Sequence, residues 1–185
     1  MQRRKYSTGR LVLTLLVLAL GFGRSADALD PVSIDDLQAA MRTLSFLESL
    51  PTQGAIVVGV IYAADIPGAQ ALAVETANTL GGMRGPNSRM LQPVVLSLSD
   101  LNKFEGRLDV IFLTAGVSKY PGPILGAMNR LHLVSISDDP VCMDTRCCVL
   151  LVRTGQRVEI SLNTSLANSV GARFSMVFMM VVKRR

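Results

Sequence analysis

Three cysteines, Cys142, Cys147 and Cys148, fall within seven residues of the run HLVSISDDPVCMDTRCCVLLV at 132–152. Thiols so close together can ligate a metal, attack a substrate or pair as a disulfide. His132, Asp138, Asp139 and Asp144 stand beside them, but neither zinc nor calcium spacing is present, so no metal site is expected. A nucleophile needs a base to activate it. His132 is the only histidine, and the chain has no G-x-S-x-G turn. The glycines of 81–85 (GGMRG) follow a helical pattern rather than a strand, so they fail the context that dinucleotide binding requires. The expectation is a protein without enzymatic activity and without a cofactor.

A disulfide is the remaining use of the thiols. In an exported chain Cys142 is expected to pair with Cys148 or with Cys147 across a small loop. Strand alternation would put those two alternatives on opposite faces. An adjacent Cys147–Cys148 bridge would be strained. The bridge would stiffen the loop rather than react, and the leftover thiol would be buried or a redox handle.

Small-molecule chemistry would sit elsewhere. In an open parallel sheet ligands bind beyond the carboxyl ends of the strands. The loops there are 63–67, 98–100, 114–118 and 137–140, and Asp65, Ser137 and Asp138 are the candidate ligand or partner contacts. Ordinary turn and cap chemistry supplies the same residue types in any α/β domain, and is the reading the sequence favours.

The elements that must position these loops alternate. Ser33 followed by Asp35 and Asp36 reads as a helix N-cap, resembling a capping box. Leu37, Ala40, Met41, Leu44 and Leu47 then give one apolar stripe. Residues 55–62 (AIVVGVIY) are a continuous apolar run, as in a strand covered on both faces. A helix over 69–80, a strand over 90–98, a short helix from Ser99-Asp100, a strand over 108–114, a helix over 120–131 and a strand over 133–136 follow. This rhythm predicts an α/β fold with a mainly parallel sheet of βαβ units. Beyond the cysteines it changes to a C-terminal β-hairpin, 147–153 and 157–162 around Thr154-Gly155-Gln156. Helices are expected over 163–169 and 173–182, with Lys183, Arg184 and Arg185 suiting the C-terminus of the last.

The first 28 residues read as a signal peptide. Arg3, Arg4, Lys5 and Arg10 precede an apolar stretch over 11–22, and Ala26-Asp27-Ala28 is a small-residue cleavage site. The apolar run is shorter than the ~20 residues that span a bilayer. Cleavage after about Ala28 would deliver one domain, 29–185, to the periplasm. Most of the basic excess lies in the leader: residues 29–185 hold 14 Lys and Arg against 13 Asp and Glu. Nucleic acid is therefore not an expected partner.

Segments of 29–185 resemble, in order, the YfiR family of bacterial periplasmic proteins. Phe46-Leu47-Glu48-Ser49-Leu50-Pro51 is similar to the family's F-V-x-W-P ending of the first helix. Asp65-Ile66-Pro67-Gly68 resembles its D-P-F-G turn, and Leu108-Asp109-Val110-Ile111-Phe112-Leu113 its C-H-V-L-F-I strand. Val134-Ser135-Ile136-Ser137-Asp138 is similar to V-L-T-V-S-D, and 157–163 to V-R-F-E-I-N. No Trp stands before Pro51, Asp109 replaces the strand cysteine, and Thr145-Arg146-Cys147-Cys148 replaces a Gly-Gly before the hairpin. The resemblance implies a regulator that restrains a membrane-bound diguanylate cyclase through its periplasmic region. An outer-membrane lipoprotein would be a second partner, and a homodimer is left open. Such restraint links envelope stress or redox state to cyclic-di-GMP signalling and biofilm formation. The alternative from the residues alone is a periplasmic small-molecule (solute) binding protein using the strand-end loops.

Overall fold

The computed structural model describes residues 29–185. The predicted signal peptide and its cleavage site after Ala28 lie outside the described residues. Seven strands form one sheet: β1 Ile56–Tyr62, β2 Leu91–Ser97, β3 Val110–Leu113, β4 Val134–Ser137, β5 Leu150–Arg153, β6 Glu159–Leu162 and β7 Lys183–Arg184. Their spatial order is β2-β1-β3-β4-β5-β6-β7. The first five run parallel, β6 is antiparallel to β5, and β7 is parallel to β6. The α/β class, the mainly parallel sheet and the hairpin all stand as the sequence predicts.

Apolar, β-branched runs force this arrangement. Every residue of β1 except Tyr62 is buried, as is all of β3, because helices cover both faces. The helix α2 (Ala69–Gly81) packs on β1 and β2, while α1 (Ile34–Thr43) packs on β5. The short α3 (Leu98–Leu101) lies against α4 (Pro121–Leu131). Pro93 sits inside β2 without disrupting the sheet, since β2 is an edge strand and one side of it needs no ladder donor. Asp109 anchors the start of β3: its carboxylate accepts from the Val57 N–H at 2.8 Å and from both arms of the Arg107 guanidinium.

Three local expectations need correction. Ser33 caps α1, its Oγ accepting the Asp36 N–H at 3.0 Å. Asp36, however, does not fold back to complete the box. Its Oδ1 accepts from the Thr154 hydroxyl at 2.7 Å and also from the Thr154 N–H, tying α1 to the hairpin. His132, which the sequence places at the start of the strand over 133–136, instead ends α4 in the left-handed conformation at φ 52°.

The third correction lies at the C-terminus. A helix over 173–182 with a basic end is expected, but α7 spans only Met176–Val181, after α6 (Thr164–Ser169). Ser175 caps it, Val182 is extended, and Lys183 pairs with Ser161 as the beginning of β7. Open backbone on the outer side of β6 captures the chain. That vacancy belongs to the sheet and cannot be read from residues 183–185.

Candidate functional site

Parallel strands deliver their loops to one end of the sheet. Because the chain passes from β1 outward to β2 and then back across to β3, the connections that leave β1 and β3 part at the switch point, where open sheets form their crevice. Thr114 ties the two ends together: its N–H and its hydroxyl donate to the Ile61 carbonyl at 3.1 and 2.8 Å. Gly116, at φ 84°, turns the β3 loop, and a Cβ there would lie 2.6 Å from Ile66 Cδ1. Close contact between the two loops therefore depends on that glycine.

Across this crevice the Tyr120 hydroxyl donates to Asp65 Oδ2. Together with Ala63, Leu98, Ser99 and Pro123 the pair lines an open, mostly apolar cleft of about 340 Å³. The hydrogen bond to Asp65 pushes the Tyr120 pKa above its ordinary value, since ionisation would remove the donor, and burial and the Asp65 charge add to the shift. Asp65 is a residue that the sequence singles out; Tyr120 is not. Its signal was an aromatic side chain directly before Pro121-Gly122-Pro123, which reads as nothing more than a helix start.

Ser137 and Asp138 lie at the neighbouring end of β4, and the structure uses them differently. Ser137 is buried, its hydroxyl donating to the Leu113 carbonyl at 3.0 Å and accepting the Asp139 N–H at 3.2 Å. That hydroxyl is occupied within the sheet, as turn chemistry would have it. Asp138 is half-buried, and its pKa is pushed up to about 6. Burial is the main cause; the Asp36 and Asp139 charges add to it, while Arg153 opposes it. Asp139 joins the β3 and β4 loops, accepting from the Ser118 hydroxyl at 2.5 Å and from the Val141 N–H at 2.9 Å. Asp65 and Asp138 thus serve separate parts of the strand-end surface, one facing Tyr120, the other facing Asp36, Asp139 and Arg153.

Beyond this end the chain forms α5 (Val141–Asp144) and then the cysteine turn. Arg146, at φ 58°, reverses the backbone, and the Cys147 N–H donates to the Cys142 carbonyl at 2.9 Å. The disulfide is Cys142–Cys148, with Cα atoms 5.4 Å apart, which decides between the two pairings left open by the sequence. Cys147 is free and fully buried. Burial pushes its thiol pKa up, partly offset by the Thr145 hydroxyl donating to Sγ at 3.3 Å. Such a thiol is held in its neutral, unreactive form. Among the described residues no group of three His, Cys, Asp or Glu side chains could hold a metal ion. No helix among them is long and apolar enough to cross a membrane.

No family model matches the chain, and no curated protein matches it. Solved structures do. The ABC domain in complex with L-Trp from Streptococcus pneumonia is similar with a TM-score of 0.55 at 6% identity, over 82% of this chain and 60% of that one. A conserved domain protein from Vibrio cholerae O1 biovar eltor is similar with a TM-score of 0.53 at 11% identity, over 84% of this chain and 61% of that one. At such identities the likeness shows the fold alone. The chain spans about three fifths of the length of each. What fold and site define is a class: a parallel α/β domain with a cleft at its topological switch point and a disulfide-closed turn after β4.

Proposed function

We propose that this protein is a non-enzymatic periplasmic regulator that binds and restrains a membrane-bound signalling protein of the diguanylate cyclase type. One observation carries the reading furthest: the only disulfide among the described residues closes the short loop between β4 and β5, beside the polar turn at Ser137-Asp138. The bridge lies in the buried crossover that carries the chain from the carboxyl end of β4 back to the amino end of β5, so opening it would loosen that crossover and, through it, the turn at Ser137-Asp138. The YfiR-like segments supply the partner class. They fall in order along the fold, from the segment after α1 through the turn after β1, β3 and β4 to β6. The experiment is a pull-down of the processed protein from envelope extracts with and without reductant. Recovery of a membrane cyclase, reduced when the Cys142–Cys148 bridge is opened, is the expected result. Recovery of no signalling protein under either condition overturns the reading.

A second reading is favoured by the cleft at the β1/β3 switch point, where small ligands of open α/β sheets bind. It makes the protein a solute-binding module. The solved L-Trp complex of a similar fold makes aromatic amino acids the first probes. Ligand binding raises the melting temperature by mass action. A shift with L-Trp that Asp65→Asn abolishes would establish this reading; no shift across the amino acids would remove it.

A further inference from the structure

Helix α7 is built to present an apolar face outward. Its sequence is MVFMMV, and Met176, Val177, Met180 and Val181 are 76, 66, 80 and 78% exposed. At 100° per residue these four occupy one contiguous arc of about 140°, with Phe178 and Met179 on the other side of the helix. The exposure is not fraying. Phe178 is buried and stacks on both Phe46 and Phe174 with ring centroids 5.2 Å apart. The Ser175 N–H donates to the Phe46 carbonyl at 2.9 Å, and the Glu48 N–H to the Arg173 carbonyl at 2.8 Å. A well-anchored helix thus holds a raised stripe of four apolar side chains, roughly 500 Å² by their fractional exposures, which is large for a single patch.

The surroundings are basic. Arg173 precedes the helix, Lys183, Arg184 and Arg185 follow it, and all four are exposed. Against them stand Glu48, which lines the same hollow as Arg173 and Arg184, and Asp144, 3.8 Å from Arg185. The side-chain balance is positive by two charges.

We propose that α7 and its basic flanks dock on an anionic phospholipid surface, the four apolar side chains entering the headgroup–acyl boundary while Arg173, Lys183 and Arg184 meet the lipid phosphates. Apolar side chains raised on a convex helix, beside a positive rim, match the pattern of interfacial binding. A deformable bilayer accepts such a stripe without a complementary groove, and methionine adapts to it readily. A second copy of the chain fits less well. Self-pairing along the short β7 edge would set Lys183 and Arg184 against the same cations of the other copy. The inference does not depend on which partner or ligand the rest of the molecule binds.

The test reads α7 itself in the processed protein, without the basic, apolar leader that could bind vesicles by itself. Met176→Cys is labelled with a polarity-sensitive fluorophore; the buried Cys147 and the bridged Cys142 and Cys148 leave that thiol as the accessible one. Vesicles of phosphatidylcholine alone are compared with vesicles containing one third phosphatidylglycerol. A blue shift with the anionic vesicles, several-fold weaker with the zwitterionic ones and reduced by salt, is expected. Lys183→Glu with Arg184→Glu should lower the apparent partition coefficient by at least about fivefold per residue. Met180→Glu with Val181→Glu should abolish the shift while leaving the melting temperature unchanged, because both side chains are exposed. No blue shift on anionic vesicles, or an equal shift in the charge-reversed variant, overturns the proposal. A shift that grows with protein concentration in the absence of lipid also overturns it, and assigns the face to a second copy.

Discussion

Tyr120, at the entrance to α4, donates its hydroxyl to Asp65 in the loop after β1, and so spans the point where the chain's winding reverses. The two residues are 55 positions apart and share no element. Their meeting follows from β1 and β3 being neighbours, which places a loop from each on the same rim. An acidic acceptor facing a phenol beside an apolar cleft is the most ligand-like arrangement on the strand-end surface.

This pair predicts a titration. Tyr120 should ionise above the ordinary tyrosine value near 10, and Asp65→Asn should bring it back toward that value. The measurement is the pH dependence of the tyrosine ring carbon resonances, with Tyr120→Phe assigning the signal. An unchanged Tyr120 titration in the Asp65→Asn variant would mean that the hydrogen bond is not made in solution.

Asp138 predicts a pH dependence of stability. Its carboxyl titrates near 3.8 when unfolded and at about 6 when folded, so between those values the native state binds more protons. Stability contributed by this group therefore increases as pH falls through 6 toward 4. Above 6 the charged carboxylate, facing Asp36 and Asp139 with only partial compensation from Arg153, works against the fold. Asp138→Asn should stabilise the protein by about 1–2 kcal/mol at pH 7.5, after allowance for solvent screening, and by little at pH 4. Urea unfolding at the two pH values checks this; a gain that is the same at both would contradict it.

The cysteines predict opposite responses. Replacing the bridge with Cys142→Ala and Cys148→Ala should cost about 2 kcal/mol, the entropy expected of so short a loop. Cys147, buried and held neutral, should resist alkylation in the native protein and react only on unfolding. Mass spectrometry after a timed alkylator pulse reads both states. Rapid native labelling of Cys147 would show that the turn opens far more readily than its packing implies.

Asp109 predicts an asymmetry. Its side chain is 4% exposed whereas that of its partner Arg107 is 54% exposed. Asp109→Ala removes the acceptor of the Val57 N–H and should destabilise by about 3 kcal/mol. Arg107→Ala removes a partly solvated cation, leaves the N–H satisfied, and should cost about 1 kcal/mol. Chemical denaturation of both variants gives the comparison, and equal costs would place the stabilisation in the ion pair rather than the backbone contact.

Much of the fold was legible because it depends on local pattern. The run at 55–62 is too apolar and β-branched to be anything but a covered strand, and Ser33 sits where a helix lacks an acceptor for its first N–H groups. Thr154-Gly155-Gln156 marked the hairpin, although its connection extends to 158, with Arg153 paired to Glu159. Spacing alone narrows the disulfide to two pairings. Asp65 stands out because the loop after a first parallel strand reaches the ligand end in any such sheet.

What local pattern determines is periodicity, capping and strand alternation, each a property of residues within a few positions of one another. Tertiary structure decided the rest. The partner of Cys142 depends on how Arg146 turns the chain, the acceptor role of Asp36 on a hairpin 118 positions away, and the Tyr120–Asp65 contact on strand order. The Ser137 hydroxyl is engaged within the sheet because β3 offers it a buried carbonyl. Residues 183–184 became a strand because β6 had unpaired backbone to offer. In each case the deciding atom belongs to a distant segment, and only the packed sheet brings it within hydrogen-bonding range.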